Sequence, residues 1–197
     1  CIVLDPEFAE VYSRLGMSYT AAILNGWSQS PREDFKKAFE LAKKAKRLDQ
    51  TLVHPHAVLG WIYLLAGKHD EALAEGRKAV AVAPSSAFAN VQLGAFLAWA
   101  DQPEEAILVL KNASRLNPFP DDWQLTFCGN AYLVAGRYEE ALAYYKQAQK
   151  RNSDNIWPYY FQAAIYGHLG RQEEAHAAAK ELLRLDPKFS VERAKKW

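Results

Sequence analysis

Two histidines two residues apart, His54 and His56, and a Glu-Glu-Ala phrase that recurs along the chain are the residue groups whose types could do chemistry. An H-x-H pair suggests zinc, and paired carboxylates suggest a general acid and base. The histidines flank Pro55 at a predicted helix start. Residues two apart in a helix do not share a face, and no third ligand lies nearby in sequence. The reading is a surface or packing role. His69, His168 and His176 are isolated. Cys128 stands at an apolar position and reads as a buried, inert thiol. The phosphate-cradling, nucleophile-elbow and dinucleotide glycine motifs are missing from the sequence. The expectation is a protein that is not an enzyme, with no catalytic residue, no cofactor and no bound metal.

Composition narrows the partners. The chain has 197 residues, half of them apolar, with a formal net charge of +1. That balance provides no global field toward nucleic acid or an anionic membrane surface. Lysines cluster in 35–47, but Glu33, Asp34 and Glu40 interrupt the patch, so it reads as a solvated helix face. No apolar run approaches the roughly 18 residues of a membrane span. Two cysteines, Cys1 and Cys128, make no disulfide framework and suit a reducing, cytoplasmic compartment. Cys1 as the lipid-bearing residue of a mature lipoprotein is set aside, because an apolar, repeat-like stretch follows it. Asn112-Ala-Ser114 fits a glycosylation acceptor but lies inside a predicted helix, and is discounted.

Spacing decides what the acid pairs are for. "GKHDEALAEGRKA", "DQPEEAILVLKNA", "GRYEEALAYYKQA" and "GRQEEAHAAAKEL" place their alanines at Ala72, Ala106, Ala141 and Ala175, with separations of 34, 35 and 34 residues. Gly60, Gly94 and Gly129 keep the same step, as do Pro84 and Pro118. Independent markers sharing one period of about 34 point to an all-α solenoid of helical pairs. In 138–151, Tyr138, Ala141, Leu142, Tyr145 and Ala148 fall on one helix face. Glu139 and Glu140 lie in the first turn, and Lys150 and Arg151 in the last, as the helix dipole favours. The acid pairs are thus helix starts. Gly129 and Ala141 sit where two helices must approach closely. Ser30 to Glu33, "SPRE", reads as a capping box with proline in the first helical position.

The segment "HAVLGWIYLLAGKHDEALAEGRKAVAVAP" (56–84) closely resembles the pattern W-x2-L-G-x2-Y…A-x3-F…P of the tetratricopeptide repeat. The resemblance covers nearly the whole chain, with repeats at about 9–52, 53–86, 87–121, 122–155 and 156–189. The first holds about ten extra residues around "NGWSQSPRE", and the fifth has Ala163 where the glycine usually falls. "CIVLDP" matches the end of a preceding helix and 190–197 the start of a following one. The expected fold is a right-handed α-solenoid of about five helix-turn-helix repeats, truncated at the N-terminal end.

The same resemblance implies a function. In such arrays the first helix of each pair lines a concave groove through its positions 2, 5, 6, 9, 12 and 13. Carried over, these give Trp61, Phe88, Trp99, Trp123, Phe127, Asn130, Trp157, Tyr160 and Phe161 as candidate peptide- or protein-binding residues. Aromatic side chains are the usual hot-spot anchors, and Asn130 suits a ligand backbone. The competing reading is that several of them pack between helices. A clamp for a C-terminal carboxylate is disfavoured, because positions 5 and 9 hold Ser13 and Met17, Ala57 and Trp61, Val91 and Ala95. "RLNPFPDDW" (115–123), "LLRLDPKFSVERAKK" and the extended first repeat also resemble C-terminal arms of bacterial cyclase-type or winged-helix signalling proteins. The expected function is a protein-binding scaffold; the alternative is a homodimerising or regulatory arm.

Overall fold

The computed structural model describes residues 5–190. Among these residues there are ten helices and no strand. They are α1 (Ala9–Leu24), α2 (Pro31–Leu48), α3 (Val53–Leu65), α4 (His69–Val82), α5 (Ala87–Trp99), α6 (Pro103–Leu116), α7 (Asp122–Val134), α8 (Tyr138–Arg151), α9 (Ile156–His168) and α10 (Gln172–Leu185). Each odd-numbered helix pairs with the next, and the five pairs stack in chain order. This is the α-solenoid that the 34-residue period predicts. The expectations for Cys1 to Leu4 and for 191–197 lie outside the described residues.

Small residues set the spacing within the stack. A Cβ on Gly129 would overlap the Tyr145 ring of α8, and one on Gly60 would overlap the Phe96 ring of α5. Ala72, Ala106 and Ala141 are fully buried against their partner helices. The turns inside pairs use glycine for a different reason. Gly67, Gly136 and Gly170 hold φ of +71° to +72°, a left-handed conformation that ends the first helix of a pair. The third pair has Asp101 there instead, at φ 57°.

One helix start differs from expectation. Ser30 precedes α2 and Pro31 opens it, but the Ser30 side chain makes no capping bond. Ser28 takes over nearby: its Oγ accepts from the Ser30 amide at 3.2 Å and donates to Asp34 Oδ2 at 2.7 Å. The capping box forms at α7 instead, between Asp121 and Gln124, where Gln124 Oε1 accepts from the Asp121 amide at 3.0 Å. The acid pairs act as helix starts and more. Arg137 and Arg171 lie over the rings of Tyr132 and Tyr166 while pairing with Glu140 and Glu174. Arg171 also reaches Glu139 of the preceding pair, at 3.0 Å.

Candidate functional site

The second residue of α3, α5, α7 and α9 is His54, Phe88, Trp123 and Trp157 in turn. The 34-residue repeat therefore gives each of these helices a ring at the same position, and the first three are joined in a row. His54 and Phe88 have ring centroids 4.8 Å apart, Phe88 and Trp123 6.0 Å, and Trp123 and Phe127 5.9 Å. His54, Phe88, Trp123 and Phe127 are all half-buried. Burial among these rings and the Arg14 charge lower the His54 pKa, which favours its neutral form.

Trp61 occupies a different place. It is only 4% exposed, donates from Nε1 to Gln92 Oε1 at 2.6 Å and meets Phe96 edge-on at 5.2 Å. Its ring also lies 5.5 Å from Phe127. Side chains of α3 and α7 thus meet across α5, and Val91, Gln92, Ala95 and Ala98 of α5 are buried beneath them. The middle of this face is filled by the protein's own rings, with Trp61 buried as its floor. Trp99, at the end of α5, is 50% exposed.

A second ring cluster belongs to α9. Trp157, Tyr160 and Phe161 pack together at 5.1 to 6.3 Å, Phe161 stacks on Tyr145 at 5.3 Å, and Tyr160 meets Phe189 at 5.5 Å. Tyr145 in turn donates its hydroxyl to Asn130 Oδ1 at 2.8 Å. That bond fixes the Asn130 amide and leaves its Nδ2 donor unused among the described residues. Of the nine candidates, Phe88, Trp123 and Phe127 form a half-buried row, Trp61 a buried floor, and Trp157, Tyr160 and Phe161 the α9 cluster, while Trp99 and Asn130 belong to none of these groups.

A buried charge cluster was not among the sequence candidates. Glu75 on α4, itself buried, accepts from His56 Nδ1 at 2.6 Å, Lys78 Nζ at 2.8 Å and Lys46 Nζ at 3.1 Å. Burial alone raises a carboxyl pKa, but these three hydrogen bonds overcome it and hold Glu75 at about 2. The signal was present: Glu75 lies three residues after Ala72 and four before Ala79, on the face that packs inward. His56 therefore has a packing partner. Among the described residues, no three His, Cys, Asp or Glu side chains converge as a metal site. Burial pushes the Cys128 thiol up to about 12, so it stays protonated and unreactive. Asn112 spends its amide on Asn90 Oδ1 at 3.1 Å. No helix among the described residues is long and apolar enough to cross a membrane.

Residues 53–75, 125–155 and 158–189 each match a tetratricopeptide repeat model. The chain carries tetratricopeptide repeats. The array is similar in fold to TTC0263, a thermophilic TPR protein of Thermus thermophilus. Identity is 23%, 95% of this chain and 96% of that chain are covered, and the TM-score is 0.77. It is also similar to YrrB, described as a TPR protein with an unusual peptide-binding site: 20% identity, 100% and 96% coverage, TM-score 0.59. In sequence, 62 residues are 36% identical to Hsp70-Hsp90 organizing protein 3 of Arabidopsis thaliana, a match spanning 32% of this chain and 11% of that protein. The match thus takes in a small part of that relative's length.

Proposed function

We propose that this tetratricopeptide array is a non-enzymatic scaffold whose concave aromatic row binds a peptide or protein segment. The carrying observation is the row Phe88, Trp123 and Phe127, rings joined at about 6 Å and each left half-buried. Core aromatics are covered on all sides, whereas binding anchors keep an open face until a partner desolvates it. Asn130 stands beside the row with its Oδ1 already held by Tyr145, so its Nδ2 is pre-oriented to donate to a ligand carbonyl. The peptide-binding site named for YrrB supports the reading by analogy of fold. Selection from a displayed random-peptide library, followed by calorimetry, tests it. Trp123→Ala should weaken a selected peptide by tenfold or more while melting stays close to that of the parent. Failure to select any peptide, or equal affinity in Trp123→Ala, would overturn the reading.

A second reading, a homodimerising arm of a bacterial cytoplasmic signalling protein, rests on the outer face of the first pair. The seventh residue of each concave helix is Leu59, Leu93, Cys128 or Gln162, all buried, but in α1 it is Leu15, which is 36% exposed. Beside it a cavity of about 350 Å³ is lined by Leu15, Tyr19, Leu41, Lys37, Lys44 and Glu40. Light scattering distinguishes the readings: a dimer that Tyr19→Glu dissociates favours the arm, and a monomer favours the scaffold.

A further inference from the structure

The first pair of helices reaches the last. Asn25, the residue that ends α1, accepts from Trp157 Nε1 of α9 at 3.4 Å, across 132 residues of sequence. The contact is made by extra helix. α1 has 16 residues, whereas α3, α5, α7 and α9 have 13 each. The added length carries Leu24 and Asn25 beyond the level where the other concave helices stop. Leu24 packs, half-buried, against the large cluster that includes Trp61 and Phe96.

The segment is built to hold this position. Asn25 Nδ2 donates to the Ala21 carbonyl at 2.8 Å, which orients Oδ1 for the indole. Gly26, at φ 67°, lets the chain turn, and the Trp27 and Ser28 amides both donate to the Ala22 carbonyl at 2.8 and 3.1 Å. Ser28 then ties the turn to α2 through Asp34. Trp27 itself points outward, 74% exposed. Asn25 meets Trp157 through a long hydrogen bond, and Leu24 is only half-buried against the aromatic cluster.

We propose that the end of α1 is a latch, an internal occupant of the concave surface that a bound segment displaces. The inference rests on the peptide-binding reading above. The contact that would be exchanged defines the partner's chemistry: an aliphatic side chain for the aromatic cluster, followed by an amide or carboxylate acceptor for Trp157 Nε1. A 3.4 Å hydrogen bond and a half-buried leucine can be exchanged for a ligand that offers the same groups with more of its length engaged.

The probe is a fluorescein-labelled peptide of residues 20–30, TAAILNGWSQS, offered in trans to the full chain. Nitroxide labels at Gln29 and Ser153, both exposed, report the latch by pulsed dipolar spectroscopy, with Cys1→Ser and the buried Cys128 left in place. The unsubstituted chain should give one narrow distance. Asn25→Ala and Leu24→Ser should each broaden and lengthen it, and should bind the peptide at least tenfold more tightly by fluorescence anisotropy. Distances that do not change in either variant overturn the latch. Distances that open with no gain in peptide binding overturn its control of access. Because the distances need no ligand, a failed latch is told apart from a failed groove, which the library selection tests separately.

Discussion

Glu75 ties three helices together through hydrogen bonds to Lys46 of α2, His56 of α3 and Lys78 of its own helix. Its carboxyl is held at about 2, below the ordinary 4.5, so the folded state binds this proton more weakly than the unfolded chain. The stabilisation is therefore fully present above about pH 4.5 and is lost as pH falls toward 2. At about 1.4 kcal/mol per pKa unit, the contribution is on the order of 3 kcal/mol at most, since solvent around the two lysine heads screens part of it. Urea midpoints measured from pH 6 to pH 3 should fall, and Glu75→Gln should be less stable at pH 6 with a shallower decline. A parallel decline in parent and variant would contradict this role. His56 was read from the sequence as a surface or packing histidine. Its partner Glu75 was passed over because a glutamate reads as solvated, although its spacing from Ala72 and Ala79 places it on the inward face.

At the scale of elements, close approach and turn geometry make separate predictions. Gly129→Leu drives a side chain into the Tyr145 ring and should destabilise by about 1–3 kcal/mol. Glu140→Gln, on an exposed first turn and held by two hydrogen bonds from the Arg137 guanidinium, should cost under about 1 kcal/mol. Denaturant titrations that show equal losses would contradict the packing register. Asp101 sits in the left-handed region where the four other pairs use glycine. Asp101→Gly should therefore stabilise by up to about 1 kcal/mol, and a lowered melting temperature would contradict that. The pairs and their period were legible because glycine and alanine mark each close approach at a fixed step. The capping box was misplaced because Ser30 and Asp121 carry similar local signals. Only the folded turn shows that Ser28, not the Ser30 side chain, bonds at α2.

Across the whole molecule, the stacking of the pairs makes contacts that no local pattern reports. It brings Trp61 of α3 to Phe127 of α7 over α5, and Asn25 of α1 to Trp157 of α9. The candidate aromatics could be found one repeat at a time. Their division into row, floor and latched cluster could not. This division separates two substitutions. Trp61→Ala empties a core site and should cost about 3–5 kcal/mol of stability. Trp123→Ala should leave melting nearly unchanged and act on affinity.

Whether partners bind the concave row is tested most directly by the indole resonances. Titrating a library-selected peptide into isotope-labelled protein should shift the Nε1–H signals of Trp123 and Trp157 together. Residues around Leu108, exposed on α6, should stay unmoved. Perturbations gathered around Leu108, with both indoles unchanged, would contradict binding at the row.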